Sequence, residues 1–400
     1  MTARLPQAVL LLSLAALVSC GYFPAPAGKS ITWQTHLGSG VKNVARSVLE
    51  TSDGGLMFVG TIELSWVNGN DLWLVKTDAP AATQWSIAWS VTFGGAAEDT
   101  GKCLRATSDG GYILLGSTRS MGAGGSDVYL VKTYADGNKL WEKTFGGSAD
   151  DYGYSIQCID GGYIIVGSTA SFGDDSGDAY LIKVSDSGEV LWQKTFGGPF
   201  TDEGYAVRQA TDGGFVIAGS KQPLVRGDDT AWLFKTDPDG NPDWEKLFGT
   251  IATSTGDILL EQARDLELSD GGYVLAGYLH PAVGDFDGWL IKTDANGNEV
   301  WNRTFGGGSW DQAEAVVLTA DGGYALAGMS RSYGPWNQAW LVKTDADGNL
   351  EWDKHFGGTD DEWAYALKQT ADGGYILAGT ASGHGGQAYL VYYKPWSEVP

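Results

Sequence analysis

The chain reads as an all-β, seven-bladed β-propeller with four antiparallel strands per blade, its last blade closed by the N-terminal strand. Three observations predict this. Asp-Gly-Gly recurs seven times, beginning at Asp53, Asp109, Asp160, Asp212, Asp270, Asp321 and Asp372, at intervals of 51 to 58 residues. Each repeat carries four- to eight-residue runs of aromatic and β-branched side chains bounded by Gly, Asp and Asn, with no helical periodicity after residue 20. The last repeat lacks its fourth run, and the chain opens on a spare one.

One unit is built as follows. A first strand runs up to Asp-Gly-Gly, which reverses the chain. The second strand is an apolar run ending in Gly, such as Tyr112-Ile113-Leu114-Leu115-Gly116. After a Gly/Ser-rich loop an aromatic leads the third, as in Trp340-Leu341-Val342-Lys343. A turn such as Asp345-Ala346-Asp347-Gly348-Asn349 precedes a fourth strand opened by Trp, as in Trp141-Glu142-Lys143-Thr144-Phe145-Gly146-Gly147. Four strands in about 51 residues make one blade, and stacking such units around an axis buries faces that no single unit can bury.

The fourth run missing after Tyr393 would read Trp-x-x-x-Phe/Leu-Gly, the pattern of Trp33-Gln34-Thr35-His36-Leu37-Gly38. Pairing this segment with the final strand closes the ring and removes the open edges that invite aggregation. The expected organisation is a targeting segment over 1–19, a tether over 20–30 and one propeller over 31–400.

The first segment has Arg4, then an apolar run from Ala8 to Val18, too short to cross about 30 Å of hydrocarbon. It ends in Leu17-Val18-Ser19-Cys20, which resembles the lipobox of bacterial lipoproteins. That resemblance implies lipid attachment at Cys20, and Gly21 after it implies sorting to the outer membrane in a Gram-negative host. The protein is then expected to be exported and membrane-bound through this lipid alone. Ten residues reach roughly 35 Å when extended, so the body lies close to the bilayer.

A net charge of -23 repels phosphate backbones, which argues against nucleic acid as a partner. Cys103 and Cys158 occupy non-equivalent places in neighbouring units, so two free thiols are favoured over a disulfide. The repeat, with Asp345-Ala346-Asp347-Gly348-Asn349-Leu350-Glu351-Trp352, resembles the tryptophan-docking repeats of quinoprotein-like propellers, and also lipoprotein and cell-surface propellers with Trp-x-Lys-Thr-Phe-Gly-Gly. The resemblance covers residues 31 to 393 and implies fold. Cofactor chemistry does not carry over, because the adjacent Cys pair is absent and those enzymes typically have eight blades; no cofactor and no metal are expected.

Asp-x-Asp-Gly-Asn turns suit calcium, but Asp and Asn also bond their own backbone and Gly supplies the turn, so plain turns are favoured. Acids after Phe-Gly-Gly, including Asp150, Asp151, Asp360 and Asp361, should ring one mouth of the channel, either as a carboxylate crown or as caps of their own turns; recurrence favours the caps. The first and fifth units break this series. The least repetitive loops, between second and third strands, share that face and carry Asp174, Asp175, Tyr333 and Trp336; Trp310 and Trp363 stand beside them. Aromatics mixed with Asp make a platform for sugar or peptide. The expected function is a binding or assembly module for an envelope protein or glycan. The alternatives are a polysaccharide hydrolase or lyase using the mouth carboxylates, and a structural surface protein. No Ser-His-Asp or Cys-His arrangement is legible among the four His.

Overall fold

The computed structural model describes residues 30–38, 42–65, 69–80, 84–173, 176–222, 229–249, 260–282, 285–383 and 386–395. Strand β1 is Ser30–Leu37. Blade 1 holds β2 (Asn43–Glu50), β3 (Leu56–Ser65), β4 (Gly69–Thr77) and β5 (Ile87–Phe93). Blade 2 holds β6 (Asp99–Ala106), β7 (Tyr112–Thr118), β8 (Asp127–Thr133) and β9 (Lys139–Phe145). Blade 3 holds β10 (Asp151–Ile159), β11 (Gly162–Thr169), β12 (Asp178–Ser185) and β13 (Val190–Phe196). Blade 4 holds β14 (Glu203–Gln209), β15 (Phe215–Lys221), β16 (Thr230–Thr236) and β17 (Pro242–Phe248). Blade 5 holds β18 (Gln262–Ser269), β19 (Gly272–Ala282), β20 (Asp285–Asp294) and β21 (Glu299–Phe305). Blade 6 holds β22 (Asp311–Leu318), β23 (Tyr324–Ser330), β24 (Gln338–Thr344) and β25 (Leu350–Phe356). Blade 7 holds β26 (Glu362–Gln369), β27 (Tyr375–Ala381) and β28 (Gln387–Pro395), completed by β1.

The closure expected from the sequence is present. β1 pairs antiparallel with β28 over its whole length, with Trp33 opposite Tyr392 and His36 opposite Tyr389. The Trp33 and Tyr392 rings stack at 4.8 Å between centroids. The seven blades thus form one ring.

Second and third strands are buried on both faces, which is why they read as continuous apolar runs. Their side chains interdigitate between adjacent blades: Ile164, Val166 and Leu181 of blade 3 share a core with Val207, Phe215 and Trp232 of blade 4. The fourth-strand Trp explains the Gly of the Asp-x-Asp-Gly-Asn turn. A Cβ on Gly297 would lie 2.4 Å from the Trp244 ring of the preceding blade, and one on Gly348 2.6 Å from Trp301. Trp89, Trp141, Trp192, Trp244 and Trp301 each dock in this way on the next blade's turn where only Gly leaves room, at the positive φ the turn also needs.

In those turns the first Asp is saturated locally. Asp237 accepts from the Asp239 and Asn241 amides at 2.9 and 2.8 Å, and Asp345 repeats the pattern with Asp347 and Asn349. The Asp-Gly-Gly corners are equally self-contained. Asp109 accepts from Gly111 N–H at 3.0 Å and from the Lys132 ammonium at 2.9 Å. Cys103 and Cys158 are both free.

Candidate functional site

One irregularity recurs in every blade. The register of the innermost strand slips between Ala45 and Ser47, Gly101 and Cys103, Gly153 and Ser155, Gly204 and Ala206, Ala263 and Asp265, Ala313 and Ala315, and Ala364 and Ala366. The skipped residues are Arg46, Lys102, Tyr154, Tyr205, Arg264, Glu314 and Tyr365. A bulge leaves its extra residue outside the ladder and re-aims it, and all seven line the central channel.

The second-strand Gly is what admits the bulge. A Cβ on Gly116 would lie 1.7 Å from the Thr100 carbonyl oxygen, and one on Gly379 1.7 Å from that of Trp363. The same close approach occurs at Gly60, Gly167, Gly219, Gly277 and Gly328. The apolar run ends in Gly because the bulged strand's carbonyl occupies that space.

The channel encloses about 770 Å³. Three residues beyond each bulge a second tier follows: Leu49, Arg105, Gln157, Arg208, Glu267, Val317 and Lys368. Six Lys or Arg and four Asp or Glu line the cavity, against 26 and 49 in the whole chain. The channel wall is therefore net cationic inside a strongly acidic molecule.

The charges are unevenly compensated. In blades 4 to 6, Arg208 bonds Glu267 at 2.8 Å and lies 3.4 Å from Asp265. Arg264 bonds Glu314 at 3.1 Å and covers the Tyr205 ring at 4.2 Å. The Tyr154 and Tyr205 hydroxyls both donate to Glu203, at 2.9 and 2.6 Å. Blades 7, 1 and 2 instead supply Lys368, Arg46, Lys102 and Arg105 and no lining carboxylate. Arg46 lies 3.7 Å over the Tyr365 ring. Among the described residues the Lys102 ammonium has neither hydrogen-bond nor ion-pair partner. Burial first, then the Arg46 and Arg264 charges, pull it down to about 8.

The sequence reading missed this ring. The sign in the sequence was a small-X-small tripeptide recurring in six of the seven first strands, with Asp265 the exception, where X varies most in chemistry.

The mouth acids fall differently from the crown that was one expectation. Asp151 is fully buried and holds its own turn: it accepts from Gly147 N–H at 2.8 Å, Ser171 Oγ at 2.6 Å and Thr169 Oγ1. It has no surface to offer a ligand or a scissile bond. Asp99, Asp202, Asp311 and Glu362 are buried in the same place and accept from the equivalent Gly amide. The series is not broken either. Asn43 and Glu261 fill its first and fifth positions, both buried. Several of these acids face a second carboxylate from the preceding blade. A Cβ on Gly94 would lie 2.3 Å from Asp99 Oδ2 and 2.8 Å from Asp71 Oδ1. Burial, then the Asp99 charge, raises Asp71 to about 6; burial raises Asp202 to about 6 and Glu362 to about 7.

Asp150 is half-exposed, accepts from Ser126 N–H at 2.7 Å and lies 3.5 Å from Arg119. Asp361 accepts from Asn337 N–H at 2.9 Å, fastening the loop after Trp336 to blade 7. Asp360 presses on the loop after β27, where a Cβ on Gly383 would lie 2.1 Å from its Oδ2. Asp174 and Asp175, like Cys20, lie outside the described residues. Trp363 is half-buried within β26, two residues ahead of Tyr365, rather than in a loop. Trp310, Tyr333 and Trp336 are about half exposed, at 50%, 55% and 47%. Trp310 packs edge-on to Phe286 at 5.5 Å, and its carbonyl accepts from Arg331 N–H at 2.8 Å. Tyr333 leans outward, 4.4 Å from the His355 ring.

No family model matches the chain, and no curated protein matches it. Solved structures do. The WD40 domain of Neurospora crassa Pan2 superposes with a TM-score of 0.52 at 11% identity, covering 87% of this chain and 88% of that one. Chaetomium thermophilum Sqt1 gives 0.50 at 10% identity over 88% and 96%. A puromycin hydrolase gives 0.52 at 14% identity, with 89% of this chain matching 54% of the enzyme. At these identities the likeness is one of fold: this chain is a β-propeller, an architecture commonly used for binding and assembly.

Proposed function

We propose that the protein is an exported, lipid-anchored propeller of the cell envelope that binds a protein or glycan partner through its mouth face. The observation that carries the reading is the group of exposed aromatics, Trp310, Tyr333 and Trp336, held on the blade 6 side of a rigid mouth. A flat ring at fixed position stacks on a sugar or an apolar peptide side chain at little entropic cost. Polar groups lie close by to set orientation: Arg331 beside Trp310, and Asp361 tied to the residue after Trp336. The Leu17-Val18-Ser19-Cys20 segment supports the lipid anchor, and the repeat's resemblance to cell-surface propellers supports the envelope setting.

A glycan array and a pull-down from envelope extracts, run with the wild type and with Trp310→Ala/Trp336→Ala, test the reading. Capture of a defined glycan or protein that drops at least tenfold in the double variant supports it. Capture unaffected by the double variant would move the binding face elsewhere. Labelling the growing host with palmitate tests the anchor: the label should vanish in Cys20→Ala.

A further inference from the structure

We propose that the central channel is a binding site for a small anionic ligand, its carboxylate or phosphate group seated between Lys102 and Arg46. This goes beyond the mouth-face reading and does not depend on it. The site is built by the fold: the bulge that projects both side chains inward is repeated in every blade and needs a Gly on the neighbouring strand. The cavity, at about 770 Å³, is of the size that holds metabolites.

The charge distribution selects the ligand's sign. The lining acids are engaged on one side: Glu203 by two tyrosine hydroxyls, Glu267 and Asp265 by Arg208, Glu314 by Arg264. The opposite side presents Arg46, Lys102, Arg105 and Lys368, none of them in ion-pair contact with a carboxylate among the described residues. An ammonium half-withdrawn from water without an ion-pair partner is destabilised. The neighbouring charged groups do not relieve it: Arg46 and Arg264 oppose the Lys102 charge, while Glu314 and Glu203 favour it less strongly. An oxyanion relieves this and gains charge-assisted hydrogen bonds from two different cations. The Tyr365 ring, already beneath Arg46, fixes that guanidinium from the other face.

Isothermal titration of the full chain with citrate, inorganic phosphate and glucose decides the matter. One oxyanion per chain should bind, and glucose should not. Lys102→Gln should weaken binding at least tenfold, and Lys102→Arg should retain most of it. Because the free ammonium titrates near 8, affinity should fall about tenfold between pH 7 and pH 9. Tighter binding of phosphate assigns the site to phosphorylated ligands, and tighter binding of citrate to carboxylated ones. Equal affinity for glucose, no anion binding in the millimolar range, or binding indifferent to Lys102→Gln in a variant with unchanged melting would overturn the proposal. Trp310→Ala/Trp336→Ala serves as the separate control: it should leave anion binding intact, so this test and that of the mouth face can fail independently.

Discussion

The corner at the foot of each blade and the bulge near its mouth occur once per blade, yet they treat their side chains in opposite ways. At the corner Asp-Gly-Gly stays the same in all seven blades, and in five of them its Asp also meets a lysine. Asp53, Asp109, Asp212, Asp321 and Asp372 each pair with a lysine from the end of the third strand, Lys76, Lys132, Lys235, Lys343 and Lys394. At the bulge the backbone stays the same and the side chain changes from Arg to Lys, Tyr or Glu. A residue type kept in every unit reports what every blade needs to fold. A residue varied on an unvarying backbone is released from that duty, and what it does belongs to the molecule as a whole.

Breaking the shared scaffold should have the largest effect. Deleting 30–38 leaves β28 as an open edge and removes Trp33 from the Tyr392 ring. A loss of about 10 °C or more in melting temperature is expected, with aggregation on heating. Next comes Gly116→Ala. Its Cβ would meet the Thr100 carbonyl at 1.7 Å, backbone that cannot step aside, so about 3 kcal/mol should be lost in chemical denaturation. The matching change at the bulge, Tyr365→Ala, should cost about 1 kcal/mol or less, because its ring packs against a channel arginine rather than the blade core. Equal losses for the Gly and the bulge variants would erase the contrast.

Acid titration separates the two regions more finely. The corner carboxyls are held low by their hydrogen bonds and lysines; Asp321 lies at about 2. Their contribution is complete above pH 4 and is lost as pH falls through their folded-state values. The mouth carboxyls Asp71, Asp202 and Glu362 are raised, so the unfolded chain gives up these protons first, and stability declines as pH rises from about 4 to 7. Melting temperature should peak near pH 4 to 5. Asp202→Asn should flatten the upper limb and Asp109→Asn the lower. The smallest stability effect is expected at Trp336→Ala, within about 0.5 kcal/mol, since the ring is half exposed.

How much of this the sequence disclosed follows the same division. Blade number, strand order and the closing β1 were readable because each depends on residue types that recur. Trp33 announced its strand by matching Trp141 and Trp352. The mouth acids were readable as a series but not as to place: Asp150 and Asp151 are adjacent letters, one half-exposed and one buried, and only the turn decides which carboxylate goes inward. Asn43 and Glu261 looked like interruptions because one is an amide and the other follows an insertion, yet each occupies the position that a buried carboxylate takes in the other blades. The channel ring stayed hidden because a bulge is a backbone event. Nothing in Gly101-Lys102-Cys103 alone says that Lys102 leaves the ladder.

The most direct test is a paired measurement on Arg46→Ala/Lys102→Ala/Tyr365→Ala, a variant that removes the two cations proposed to seat the anion and the ring beneath Arg46 and leaves every second-strand Gly and every corner in place. Thermal melting and calorimetric titration with citrate and phosphate should show a melting temperature within about 3 °C of wild type and no remaining anion binding. A variant that fails to fold, or one that folds and binds anions as the wild type does, would contradict the separation of scaffold from site.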